Sequence, residues 1–242
     1  MDDIEEKSFA ASVIETVKTV VYALLIAGVF RTLFFQPFWI PSGSMKDSLL
    51  IGDFLFVNKM AYGYSYASCP KIQIAALGLN IDADDFCGFI KDRDTRILGG
   101  VPERGDVVVF RHPVTGADYI KRLVGLPGDK IQMQGGVLQI NGAPVERRQV
   151  EDFVETFEPQ GSQRNRPVCS NGAVGLGAEC IKTKYIETLP NSVKHGVLDT
   201  FDQDAMRLGG RMNLDTTQVY SVPEGHFFFM GDNRDNSSDS RV

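Results

Sequence analysis

The sequence predicts a mainly β protein, an antiparallel barrel or sandwich, preceded by one apolar N-terminal helix. Three observations lead there. Seven short apolar or alternating runs are separated by Gly, Pro, Asn and Asp. A long apolar stretch lies within the first forty residues, and the four cysteines fall into two local pairs.

The N-terminal element comes first. Thr19 to Phe30 is apolar apart from Thr19, Arg31 interrupts, and Thr32 to Ile40 is apolar again except for Thr32, Gln36 and Pro37. Eleven uninterrupted apolar residues fall short of the roughly 20 that a bilayer span needs, so a buried helix of a soluble domain is a competing reading. Extending the segment to 13–35 reaches spanning length by admitting Glu15, Lys18 and Arg31 near its ends, where long side chains snorkel to water. Residues 1–12 then form a tail. Met1-Asp2-Asp3-Ile4-Glu5-Glu6-Lys7 is acidic where a cleaved signal peptide has a basic region, and no small-x-small site follows. The expectation is therefore a retained anchor. The Lys and Arg bias is too slight to orient it.

The strands follow in order. Phe54 to Val57, Asp106 to Phe110, Tyr119 to Val124, Lys130 to Met133, Val137 to Ile140, Gln218 to Val222 and Phe227 to Met230 are each short and bounded by turn residues. Residues 143–217 are more polar, include a stretch from Glu155 to Arg166 without clear periodicity, and hold no cluster that looks catalytic. There is no internal repeat.

Composition narrows the function classes. The chain has 242 residues, 43% of them hydrophobic, enough for a sizeable core. A formal charge of −6 disfavours nucleic acid, which requires clustered Lys and Arg. The three histidines, His112, His195 and His226, show no zinc-like spacing with cysteine, so they read as structural or solvated and no metal or cofactor is expected. Cys169 and Cys180 bracket a Gly-rich loop, and Cys69 and Cys87 bracket a longer one. Two local pairs suit disulfides in an oxidising compartment; free buried thiols remain the alternative.

Two residues carry the chemical signal. Ser44 stands in Phe38-Trp39-Ile40-Pro41-Ser42-Gly43-Ser44-Met45, and Lys121 stands in the alternating run Tyr119-Ile120-Lys121-Arg122-Leu123-Val124. A serine hydroxyl needs a base to take its proton as it attacks. With no well-placed histidine, a neutral lysine amine is the candidate. Only about one free lysine in 2,500 is neutral at pH 7, and disfavouring the charge by about 4 kcal/mol through burial makes about a quarter neutral. Arg122 must then face the other side of the strand, as alternation allows. Taken alone, Lys121 also reads as an ordinary exposed strand lysine.

These runs, with Arg104-Gly105-Asp106-Val107-Val108-Val109-Phe110 and Gly231-Asp232-Asn233-Arg234-Asp235-Asn236-Ser237-Ser238-Asp239-Ser240-Arg241, resemble in order and spacing the sequence boxes of the bacterial type I signal peptidases. The resemblance covers the anchor, residues 37–60, 103–142 and 218–241. It implies a signal-peptidase-like antiparallel β catalytic domain over 36–142 and 218–242, with 143–217 as an inserted variable subdomain. By resemblance, Ser44 is the nucleophile and Lys121 the general base, while Ser42 and the Ser44 amide form the oxyanion hole. Ser237 orients the lysine amine, and Asp232, Arg234, Asp239 and Arg241 hold neighbouring loops together. An Asp-rich calcium loop is the rival reading of that last run, but it lacks the template's Gly and distal Glu.

The same resemblance places Phe38, Ile40, Met45, Leu49, Leu55, Val109, Tyr119 and Ile120 around two shallow pockets selecting Ala-x-Ala, although each would also serve as an ordinary core residue. It implies preprotein signal peptides and the lipid bilayer as partners and a monomeric enzyme. Its catalytic body would lie on the exported side of the bacterial cytoplasmic membrane, with a cytoplasmic N-terminus.

Two departures stand out. The run ends at Val242, one residue past the last box, where the family usually continues through another strand. Lys46-Asp47-Ser48 replaces a less charged stretch with Pro and Thr, and this pair is expected to alter the rim of the cleft. Three other readings share some features: a Ser/Lys self-cleaving repressor, which would carry a helix-turn-helix domain; a pilin-processing peptidase of a conjugation system; and a non-enzymatic membrane-tethered domain that binds exported chains.

Overall fold

The computed structural model describes residues 9–69, 72–74, 78–81, 83–90, 96–162, 164–172, 174–200 and 213–242. The protein is mainly β, with one long N-terminal helix. In chain order the elements are α1 (Phe9–Leu33), β1 (Phe35–Trp39), β2 (Phe54–Asn58), β3 (Ile72–Ile74), β4 (Leu79–Ile81), α2 (Ala83–Cys87), β5 (Val107–Arg111), β6 (Asp118–Gly125), β7 (Lys130–Gln134), β8 (Val137–Ile140) and β9 (Ala143–Pro144). There follow β10 (Glu146–Gln149), β11 (Phe153–Thr156), β12 (Glu179–Lys182), β13 (Lys184–Thr188), β14 (Lys194–Leu198), β15 (Tyr220–Ser221) and β16 (Phe228–Met230). Two compact units result, one built from residues up to Phe38 and Leu55–Val101, the other from Trp39–Phe54 and Pro102–Val242.

In the first unit, α1 contains a 23-residue apolar segment, Ala11–Leu33, within which an 18-residue window reaches a mean hydropathy of 1.9 with none of it buried. At 1.5 Å per residue it is about 35 Å long, enough to cross a hydrocarbon core of about 30 Å. The helix stops two residues before the expected boundary at 35, because Phe35 opens β1. Tyr64 donates its hydroxyl to the carbonyl of Leu33 in the last helical turn. The tail expected over 1–12 lies largely outside the described residues. Beyond β1–β2, this unit holds the β3–β4 pair, α2 and a disulfide between Cys69 and Cys87.

The second unit carries the core. Turn chemistry makes its first hairpins: Gln134 pairs with Val137 across Gly135-Gly136, and Ile140 with Ala143 across Asn141-Gly142. All four loop residues have positive φ, between 54° and 80°, as a two-residue turn matching the strand twist requires. β7 and β8 alternate, so that Ile131, Met133, Leu138 and Ile140 face inward against Val124 of β6 and Phe228 and Met230 of β16. β6 is the central strand of the sheet β16-β6-β5 and is buried on both faces, which is why consecutive residues Lys121 and Arg122 are both inside.

The described part of the polar segment 143–217 holds more regular structure than its sequence suggests. It supplies the sheet β10-β13-β14 and the pair β11-β12, and its Val145 and Leu189 enter the same core cluster as β6 to β8. A second disulfide joins Cys169 to Cys180. His195, expected to be structural or solvated, is buried on β14 beside Glu187, and burial drives its pKa down to about 3 against the pull of Glu187.

Candidate active site

Ser44 lies in a single 3-10 turn, Gly43–Met45, entered from extended Ser42 and closed by the Lys46 amide donating to the Gly43 carbonyl at 3.1 Å. The turn is held from one side by the final motif. The backbone amide of Asn233 donates to the Ser44 carbonyl at 3.0 Å, and its side-chain Nδ2 donates to the Gly43 carbonyl at 2.9 Å. This close approach requires Gly231, where a Cβ would lie 2.5 Å from the Ser44 carbonyl oxygen. The sequence gives Asn233 no role of its own. Its only signal is membership of the final motif.

Lys121 reaches the turn from the middle of β6. Its Nζ lies 2.7 Å from Ser44 Oγ and donates to the Ile120 carbonyl at 3.0 Å. Both side chains are buried, Ser44 at 7% and Lys121 at 5% exposure. Burial pulls the Lys121 amine below its ordinary 10.5, while Asp239 and Asp232 act weakly in the other direction. A hydroxyl hydrogen-bonded to an amine that loses its proton easily is an arrangement suited to nucleophilic attack.

The remaining candidates fall into place around this pair. Ser42 is exposed, with its Oγ 3.5 Å from Ser44 Oγ. Asp232 receives a two-pronged bond from Arg122, Nε to Oδ1 at 2.8 Å and Nη2 to Oδ2 at 2.7 Å, and Arg122 also donates to the Gly105 carbonyl. Arg234 pairs with Glu187 of β13. Asp239 is matched by Arg241 and accepts from the Gly231 amide; burial would raise its pKa, but the Arg241 contacts outweigh that and keep it ionised.

Ser237 is the exception to its expected contact. Its buried hydroxyl meets no strict hydrogen-bond geometry among the described residues, the group it helps to keep ionised is Asp239, and the lysine amine donates to the Ile120 carbonyl instead.

The pocket candidates divide. Ile40 and Met45 are fully buried and Ile120 is 8% exposed, so these three form packing behind the surface; Leu49, Val109 and Tyr119 are half-buried. Phe38 and Leu55 sit half-buried on β1 and β2 of the first unit. Lys46, expected at the rim, is 3% exposed and points to Glu155. Among the described residues one acidic group could gather a cation: Asp199, Asp215 and Asp235, with oxygens within 4.8 Å of one another.

A mainly β chain with a long apolar helix and a buried Ser/Lys pair has the architecture of a membrane-tethered serine hydrolase. A family model described as signal peptidase, peptidase S26, matches residues 13–242. The chain belongs to that family. Signal peptidase I of Rickettsia typhi is 37% identical over 226 residues, covering 91% of this chain and 70% of that protein. Signal peptidase I of Rickettsia canadensis is 36% identical over 229 residues, with 93% and 71% covered. A crystal structure of a signal peptidase I from Enterococcus faecalis is 26% identical and covers 59% of this chain and 86% of its own, with a TM-score of 0.29, too low to bear on the fold.

Proposed function

We propose that this protein is a membrane-anchored serine endopeptidase that removes signal peptides from exported preproteins after an Ala-x-Ala site. The observation that carries the reading is the 2.7 Å approach of Lys121 Nζ to Ser44 Oγ, at buried positions matching the family's motifs. Neutral Lys121 accepts the hydroxyl proton as Ser44 Oγ attacks the scissile carbonyl. Negative charge then develops on the carbonyl oxygen, where the Ser44 amide and the Ser42 hydroxyl donate to it. The lysine ammonium returns its proton to the leaving amine, a water deprotonated by the regenerated amine opens the acyl-enzyme, and Ser44 is restored.

Ser237 orients the amine when substrate tightens the site, and Asp232, Arg234, Asp239 and Arg241 fix the loop that grips the turn. The substrate adds as an extended strand beside a sheet edge such as β5. Leu49, Val109 and Tyr119 border pockets whose floor is Ile40, Met45 and Ile120. The anchor lies within 13–35, its helix ending at Leu33, and the catalytic part is 36–142 with 218–242, into which 143–217 is inserted. The protein works as a monomer without metal or cofactor, its catalytic part on the periplasmic face of the inner membrane.

The test is incubation of the detergent-solubilised protein with a preprotein and sequencing of the new N-terminus. Cleavage after Ala-x-Ala is expected, abolished by Ser44→Ala and by Lys121→Ala. Replacing the substrate's last Ala by Phe should lower kcat/KM by about one to two orders of magnitude. Equal rates on Ala and Phe substrates, or full activity of either variant, overturn the reading.

A further inference from the structure

The two charged residues that follow the nucleophile's turn are both committed to the segment that looked least catalytic in sequence. Lys46 projects into β11–β12: its Nζ pairs with Glu155 and donates to Gln160 Oε1 at 2.6 Å, and Gln160 in turn donates to Glu155 at 2.8 Å. Lys182 of β12, 1% exposed, lies 2.9 Å from the other Glu155 oxygen. The aliphatic stem of Lys46 passes beneath the turn, so that a Cβ at Gly43 would come within 3.2 Å of Lys46 Cε. Asp47 projects into β13–β14. Its carboxylate pairs with Lys184 at 2.5 Å and occupies the place that a side chain at Gly196 would fill.

Asp47 holds a φ of 85°, the left-handed region that residues other than glycine enter at some cost. Such a conformation persists only where surrounding contacts determine it, and here the Lys184 pair and the gap at Gly196 do so.

Nucleophile and base sit on different supports. Lys121 is fixed by its position on β6, whereas Ser44 rides on a one-turn 3-10 element with no strand of its own. The separation of the two reactive atoms is therefore set by whatever holds the turn. Asn233 grips it on one side, and Lys46 and Asp47 grip it on the other.

We propose that Lys46 and Asp47 are positioning residues for Ser44, through which strands β11 to β14 set the nucleophile's distance from its base. This rests on the reading of Ser44 as nucleophile. Neither residue touches the reacting atoms: the general base remains Lys121, and the contribution of the pair is geometric. A misplacement of about 1 Å in such a site lowers turnover by about a hundredfold.

The experiment measures kcat, KM and the pH dependence of kcat/KM for a short soluble peptide carrying Ala-x-Ala, with the detergent-solubilised full chain. The variants are Gly196→Ala, Lys46→Met, Asp47→Gly and Ser44→Ala. Gly196→Ala displaces the Asp47 carboxylate without altering any charge, and it should lower kcat about ten- to a hundredfold, as should Lys46→Met, with KM within about twofold and the pH of the rise in kcat/KM unchanged. Asp47→Gly suits the positive φ and keeps the fold even where Gly196→Ala does not, and its expected loss in kcat is about tenfold.

Folded variants with wild-type kcat overturn the proposal while leaving the Ser44 reading intact. So does a change confined to KM, which would place the pair in substrate binding, or a displaced pH profile, which would make Lys46 itself a base. An active Ser44→Ala instead removes the reading on which the proposal rests.

Discussion

Two buried lysines, 121 and 46, lie on either side of the same serine, and their surroundings differ in one respect. Burial lowers the pKa of both. Around Lys46 the loss of hydration is answered by a carboxylate in direct contact, Glu155, which is shared with Lys182. Around Lys121 the nearby carboxylates are already matched, Asp232 by Arg122 and Asp239 by Arg241, and the amine hydrogen-bonds a hydroxyl and a carbonyl and lies 5.3 Å from the centre of the Tyr119 ring. Burial alone does not make a lysine a base. What differs is contact: Glu155 touches Lys46 and offsets part of what burial removes, although the Lys46 pKa still stays below 10.5, whereas no carboxylate lies in hydrogen-bond contact with the Lys121 amine among the described residues.

The contrast can be broken most severely at the reactive pair. Ser44→Ala or Lys121→Met should reduce kcat/KM by about a thousandfold or more, with far-ultraviolet circular dichroism unchanged. At the other lysine, Glu155→Gln leaves two buried amines without an anion. Denaturant unfolding should show a loss of about 3 to 5 kcal/mol, and an unchanged midpoint would mean the cluster is hydrated and not an ion pair.

Making the first lysine resemble the second is a milder test. Arg241→Gln frees Asp239 beside Lys121, so the amine should hold its proton more tightly, and the rise in kcat/KM should move toward the range of an ordinary lysine. Activity at pH 7 should fall about tenfold for each unit of that displacement and recover at higher pH.

The smallest effect is on stability. Lys121 has a folded-state pKa below its unfolded value, so between the two the unfolded chain binds the extra proton and the folded protein gains stability as pH rises toward 10.5. Subtracting the unfolding free energy of Lys121→Met from that of the wild type should leave a positive slope of at most about 1.4 kcal/mol per pH unit, with the variant the more stable at neutral pH. A flat difference would mean that the amine is not desolvated.

How far these regions could be read from sequence follows the range of the interactions. The hairpins on Gly135-Gly136 and Asn141-Gly142 are local, and their strands lie within a residue or two of the runs that announce them. That Lys121 and Arg122 take opposite faces follows from the period of a strand. The role of Ser44 is different, since no local physics distinguishes it from Ser42, and only the motif resemblance did so. Strands β10 to β14 are hard to read in the sequence because, beside Cys180, Val197 and Leu198, they bury Lys182, Glu187 and His195, which read as surface until their partners are known. Those partners are remote. Glu155 is 109 residues from Lys46, and Arg234 is 47 from Glu187, so neither pairing leaves a trace in a window of sequence.

The fit of the Asp47 carboxylate into the space at Gly196 restricts the order in which this chain can change. A methyl group at 196 is barred while Asp47 keeps its place, whereas a shorter residue at 47 leaves position 196 open. Substitutions at 47 must therefore come first, and a homologue with a side chain at 196 should carry something other than Asp at 47, its turn supported by a different contact.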